Sequence, residues 1–294
     1  MHWSEDFIAV DWGTTNRRAY RVERGECVAE FEDSCGVLAV PAGDFPGAVA
    51  AIRAKLGEAP LLMAGMVGST RGWVEVPYVP CPADLDALAA AVRWVEPGRV
   101  AIVPGLSFRD ATHADVMRGE EVQMFGALAA GTIPRDGLVC HPGTHNKWVA
   151  IETGRVTGFR TVLTGEMFAM LRGHSMLSEM MVGEVAPGAA FEAGVRRGLE
   201  TPPLTAELFS VRARVLLGAL DRGDAPSFVS GLLIGTDIAV GLALGAGGEL
   251  NFMGEPELTG LYAAAAGIAG RGAREIEGRG AFLAGATALA RTMK

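Results

Sequence analysis

The chain has no run of positive charge. Its 294 residues hold 26 Lys and Arg against 34 Asp and Glu, a net charge of −8, which argues against a nucleic-acid partner because phosphate backbones are gripped by clustered cations. Cysteine is scarce. Cys27, Cys35, Cys81 and Cys140 form no C-x-x-C pair and no metal-ligand spacing, so they are expected as reduced thiols of a cytoplasmic protein. The start, MHWSEDFIAV, carries Glu5 and Asp6 where a signal peptide needs positive charge before an apolar run. The stretch 228–248 is long enough to span a bilayer, yet Asp237 sits at its centre, so a buried helix is expected there. A Walker-type G-x-x-x-x-G-K-[ST] loop is absent, so any nucleotide must be held by other means.

Apolar residues, at 49%, and forty glycines are abundant; together they exclude disorder and imply a compact fold with many tight turns. One pattern occurs twice. DWGTTNRRAY (11–20) and HPGTHNKWVA (141–150) share Gly13 with Gly143, Thr14 with Thr144 and Asn16 with Asn146. A basic residue follows each asparagine, Arg17 in one and Lys147 in the other.

Each copy opens a strand–turn–strand–turn–strand unit, with hairpin connections expected at Arg24-Gly25 and Thr153-Gly154. Between the copies the pattern predicts a helix over 46–57, a strand over 60–66, a helix over 84–95, a strand over 99–106 and a helix over 119–130. Gly131 and Pro134 end the last of these. The expected organisation is a duplicated α/β fold with domains over 1–130 and 131–294. The tetrad Gly-Thr-x-Asn offers backbone amides, hydroxyls and an adjacent cation, a small anion cradle, and two such cradles suit one polyphosphate.

Paired hairpin phosphate loops resemble those of the actin and hexokinase superfamily, and VDWGTTNRRA resembles the first phosphate loop of its sugar kinases. The closer resemblance is to the 2-dehydro-3-deoxygalactonokinase family. It runs through DWGTTNRRAY, MAGMVGSTRGWVEVPYVPCPA (63–83), DVMRGEEVQMFGA (115–127), HPGTHNKWV and SGLLIGTDI (230–238), departing at His141, where a leucine is expected, and at Thr70. The resemblance implies duplicated ribonuclease H-like domains with an interdomain ATP cleft. It also implies ATP-dependent phosphorylation of 2-dehydro-3-deoxy-D-galactonate at its terminal C6 hydroxyl, within galactonate catabolism.

Residue roles follow from that resemblance. Asp11 would hold Mg²⁺, unless it merely caps the turn. Gly13, Thr14, Thr15, Asn16, Gly143, Thr144 and His145 would surround phosphate oxygens, with Arg18 and Lys147 offsetting charge. The general base belongs at the start of the helix before the second hairpin, where Glu120 is the first choice and Glu121 the alternative; paired acids also suit a helix N-terminus for dipole reasons alone. Arg71 is nominated for the substrate carboxylate and Trp73 for an apolar wall. Gly254 and Glu255, between a strand and a helix bearing Leu258, Leu261 and Tyr262, resemble the superfamily's adenosine motif. Thr236 and Asp237 are candidates to face the same site. His141 and His145 are no helical zinc pair, since Pro142 and Gly143 lie between them. A homodimer is plausible. The competing readings are a non-catalytic sugar sensor and a nucleotide-hydrolysing switch of the same fold.

Overall fold

A computed structural model describes residue 3 and residues 5–245 and 247–293. In chain order the elements are β1 (Asp6–Trp12), β2 (Arg17–Glu23), β3 (Glu26–Asp33), α1 (Phe45–Leu56), β4 (Leu61–Gly65), β5 (Val79–Pro80), α2 (Leu85–Ala90), β6 (Arg93–Glu96), β7 (Val100–Ile102), β8 (Leu106–Arg109), β9 (Ala114–Met117) and α3 (Glu120–Ala129). There follow β10 (Gly137–His141), β11 (Asn146–Glu152), β12 (Arg155–Val162), α4 (Thr164–His174), α5 (Ala189–Leu199), α6 (Leu204–Leu216), α7 (Ala225–Leu242), β13 (Leu250–Gly254), α8 (Pro256–Ile268), β14 (Ala273–Glu277) and α9 (Gly278–Thr292).

The chain divides into two compact units. The first runs to Arg135 and also takes Glu152–Gly158 and the segment from Gly278 onward; the second comprises Asp136–Ile151 and Phe159–Glu277. The break near 135 lies close to the expected one near 131, whereas α9, read from sequence with the second domain, clusters with the first.

Both units are built on one plan. The first sheet has the order β3-β2-β1-β4-β7-β6 and the second β12-β11-β10-β13-β14. In each, the first two strands are antiparallel and the first strand is parallel to the fourth of the core, β4 or β13. Both units also turn their second hairpin with successive positive-φ residues, Arg24 (55°) and Gly25 (84°) in one, Thr153 (53°) and Gly154 (80°) in the other. That is the backbone of a two-residue hairpin turn whose twist matches its strands. The duplication is thus topological as well as sequential.

β1 and β4 are continuous apolar runs, Phe7–Val10 and Leu61–Gly65 being wholly buried, as expected of central strands covered on both faces. The core of the first unit gathers Val10, Trp12, Ile52, Met63 and Ile102; that of the second gathers Leu138, Trp148, Phe191, Ile238, Phe252 and Tyr262. α7 is the one helix among the described residues long and apolar enough to cross a membrane, and most of it is buried inside the second unit. It ends at Leu242 rather than continuing to 248.

α3 is fixed by close contact with α9: a Cβ on Gly126 would lie 1.8 Å from the Ala281 carbonyl oxygen, and one on Gly285 would lie 1.9 Å from that of Val122. Only hydrogen on these α-carbons lets the helix backbones meet. Two expectations fail. The helix predicted over 84–95 stops at Ala90, and Arg93–Glu96 instead forms β6, antiparallel to β7; the alanine-rich start carried the helical pattern, while Trp94 and Val95 favour a strand. The small sheet β5-β8-β9 was not anticipated, and the predicted strand over 99–106 is split between β7 and β8.

Candidate active site

The first turn connects β1 to β2, and the Gly13 N–H closes it by donating to the Asn16 carbonyl at 2.9 Å. Behind it, the carbonyls of Gly13, Thr14 and Thr15 accept from the N–H groups of Val37 (3.0 Å), Leu38 (3.3 Å) and Gly36 (3.0 Å). In a trans peptide the C=O and the following N–H point in opposite directions. The amides of Thr14, Thr15 and Asn16 therefore all face away from residues 36–38, on an exposed turn. Successive N–H groups on the open side of a turn can form an anion-binding nest. Gly36 makes this possible, since a Cβ there would lie 2.4 Å from the Thr14 carbonyl oxygen and from the Thr15 backbone.

The second turn connects β10 to β11 with the same donor and a different acceptor: the Gly143 N–H donates to the Asn146 side-chain Oδ1 at 2.7 Å. The Thr144 carbonyl accepts from the Glu166 N–H at 2.9 Å, and Gly165 packs so closely that its Cβ would lie 2.2 Å from the Gly143 carbonyl oxygen. Gly36 and Gly165 thus play one part in two places. Sequence reading missed both, because neither lies within the repeated motif.

Register separates the two copies. Asp11 pairs with Arg18 across the first hairpin, whereas His141 pairs with Lys147 across the second. By register Arg18 and Lys147 are therefore equivalent, although the motif aligns Arg17 with Lys147, and Lys147, like Arg17, is buried. Arg17 is buried, with Nε and Nη2 donating to the two Asp33 carboxylate oxygens at 3.2 and 2.8 Å and its guanidinium over the Trp12 ring. Its role is to hold β2 onto the core. Arg18 is partly exposed and pairs with Glu32 at 3.1 Å. His145 pairs with Glu166, Nε2 to Oε2, at 2.6 Å.

Three acids lie at the ends of β1 and α3. Asp11 has its pKa pushed up to about 6: burial dominates, Arg18 opposes it, and Glu120 and Glu32 add to it. Among the described residues nothing donates a hydrogen bond to its carboxylate. Glu120 begins α3, and its Oε2 accepts the Arg118 N–H at 3.0 Å. Glu121 is fully buried, and burial, then the nearby Glu120, hold its carboxyl well above the usual range. Gly119, at φ 110°, turns the chain into the helix against Gly65.

The other nominated residues fall in two places. Arg71 is exposed on the turn after β4, and Trp73 stacks parallel to Phe45 at 6.0 Å against the first core. Gly254 lies beside the second turn, a Cβ there falling 3.5 Å from the Pro142 carbonyl oxygen, and Glu255 is the N-cap residue of α8. Next to that turn is a cavity of about 180 Å³, walled by Phe168, Val185, Leu233, Ile234, Leu258 and Leu261, with Asn146, Thr164, Ser230 and Tyr262 as its polar groups. Thr236 is satisfied within its own helix by the Leu232 carbonyl at 2.9 Å. Asp237 is fully buried in the second unit, and its oxygens accept from Trp148, Thr164, Asn146 and Tyr262.

Residues 11–289 match the family described as 2-keto-3-deoxy-galactonokinase. The chain belongs to that family of kinases. The 2-dehydro-3-deoxygalactonokinase of Escherichia coli (strain K12) is 38% identical over 236 residues, 79% of each chain. A crystal structure from Sinorhizobium meliloti, assigned to the same enzyme, superposes with a TM-score of 0.90 at 36% identity, over 97% of this chain and 98% of that one. At 13% identity, component A of (R)-2-hydroxyglutaryl-CoA dehydratase from Acidaminococcus fermentans has a TM-score of 0.55, over 99% and 100% of the two chains, and shares the fold alone. The family leaves the sensor and hydrolytic-switch readings without support.

Proposed function

We propose that this kinase transfers the γ-phosphoryl group of ATP to the terminal C6 hydroxyl of 2-dehydro-3-deoxy-D-galactonate, giving the 6-phosphate. The observation that carries the nucleotide assignment is the exposed Gly13–Asn16 turn, whose carbonyls are tied off behind it while its amides face outward. Phosphoryl transfer needs positioning and charge stabilisation more than covalent help. On this reading both turns bind phosphate oxygens, with Arg18 and Lys147 offsetting their charge, and the cavity beside the second turn takes the adenine ring among Phe168, Leu258 and Leu261.

Glu120 is assigned as the general base that accepts the hydroxyl proton. Glu121 is sealed from solvent and spends both carboxylate oxygens on its own helix start, so it suits a supporting role. Asp11 suits Mg²⁺: among the described residues nothing donates a hydrogen bond to its carboxylate, and Mg²⁺ is commonly held by one or two carboxylates together with substrate phosphates. The metal would neutralise phosphate charge. Arg71 is assigned to the substrate carboxylate, its guanidinium lying exposed on the turn after β4.

The test is ADP release, measured with a coupled assay over a panel of sugar acids. Turnover that depends on 2-dehydro-3-deoxy-D-galactonate supports the assignment. Equal turnover with no sugar acid, or a preference for the C4 epimer, overturns it.

A further inference from the structure

We propose that Asp237 is a positioning residue for the second phosphate turn, linking it through Asn146 to the cavity alongside. This inference rests on the kinase reading above. The surrounding helix is apolar, with Leu232, Leu233, Ile234 and Ile238 all buried. A carboxylate at this depth is costly unless it is hydrogen-bonded. Here it is bonded from four directions. Trp148 Nε1 donates to Oδ1 at 2.7 Å and Thr164 Oγ1 donates to Oδ2 at 2.8 Å. The Tyr262 hydroxyl and Asn146 Nδ2 also donate to Oδ2. The donors come from β11, α4 and α8, so one side chain joins three elements to α7.

Asn146 carries the effect outward. An amide offers a donor at one end and an acceptor at the other. Because the Asp237 carboxylate accepts the nitrogen end, the oxygen end must face the Gly143 N–H, which it does at 2.7 Å. That bond fixes the start of the turn. On the first turn the matching Gly13 N–H is held by the Asn16 carbonyl, so among the described residues it is the second turn whose opening N–H is held by a buried side chain. Asn146, Thr164 and Tyr262 also line the cavity. A flat heteroaromatic group seated there would touch three of the four donors to Asp237, and its presence would stiffen the turn that holds the phosphates.

The experiment measures KM for ATP and for the sugar acid, with Tm, in Asp237→Asn, Asn146→Ala, the double variant and Leu250→Ala. Leu250 is a fully buried core residue at the far end of β13 from the turn and serves as a measure of destabilisation alone. Asp237→Asn and Asn146→Ala should each raise KM for ATP by about tenfold, with KM for the sugar acid unchanged. The double variant should match either single change, because both cut one link. The proposal fails if KM for ATP is unmoved, if Leu250→Ala raises it equally at a matched loss of Tm, or if the single effects add. Should Asp237→Asn not fold, Asn146→Ala alone decides by the same readings. If the wild-type protein shows no sugar-dependent turnover, the kinase reading falls, and calorimetric binding of ADP decides the present one. Binding about tenfold weaker in both variants upholds it; equal binding, or none in any variant, overturns it.

Discussion

Glu121 receives the Gly119 N–H on both carboxylate oxygens, at 2.9 and 2.7 Å. A side chain so placed is committed to the start of α3; Glu120, proposed above as the base, accepts the Arg118 N–H on Oε2 and is partly exposed. Glu120→Gln is expected to lower kcat by roughly 10²- to 10⁴-fold, the usual range for loss of a general base. Glu121→Gln keeps an acceptor for Gly119 and should stay within about tenfold of the wild-type rate. Steady-state kinetics of the two variants separates the roles, and the reverse pattern would exchange them.

Glu121 also makes a prediction about pH. Its folded pKa lies well above its ordinary value of 4.5, so the native state binds this proton more tightly than the unfolded chain. Its contribution to stability is therefore fully present below pH 4.5 and is lost as pH rises through the folded value. Relative to wild type, Glu121→Gln should gain Tm as pH is raised above about 5. Parallel wild-type and variant curves over that range would contradict the assigned burial.

The glycines around the turns give a graded test. Gly36→Ala and Gly165→Ala each force a Cβ to within 2.4 Å or less of turn backbone, and overpacking of this kind costs about 1–3 kcal/mol. Both should lower Tm and raise KM for ATP. Gly143→Ala meets nothing among the described residues within 4 Å, so its Tm should hold while, on the role proposed for this turn, the added methyl group crowds the phosphates. A raised KM for ATP at constant Tm is the expected result. An unchanged KM would mean that this turn does not touch the nucleotide.

Arg71 and Trp73 should separate cleanly. Arg71→Ala removes an exposed cation and is expected to raise KM for the sugar acid by about tenfold or more, with Tm unchanged. Trp73 stacks on Phe45, so Trp73→Ala should cost stability, up to about 3 kcal/mol, measured by denaturant titration.

Much of this was readable from residues alone. The two hairpins announce themselves because Gly-Thr-x-Asn and the Arg24-Gly25 and Thr153-Gly154 turns are local chemistry, set by backbone needs within a few residues. What was hidden depends on distant partners. The one-residue difference in register is invisible when the motifs are aligned, since it depends on which strand residue ends up opposite Asp11 or His141. Gly36 and Gly165 look like ordinary glycines until the backbone they press against is known. Asp237 was legible as a polar residue in an apolar stretch and a candidate to face the adenosine motif; that its partners would be Asn146, Trp148, Thr164 and Tyr262, up to 91 residues away, follows from the packing of four elements. β6 was misread because Trp94 and Val95 adjoin a helix rich in alanine.

The placement of α9 bears on how the protein is made. Synthesis runs from the N-terminus, and domains generally fold as units as they emerge. α3 lacks the helix that meets it at Gly126 until Gly285 has been added, so the unit begun first is finished last. The other unit, complete by Glu277, has all its strands and helices available earlier, and a released chain truncated after Glu277 should protect the second unit from protease while the first stays open to cleavage.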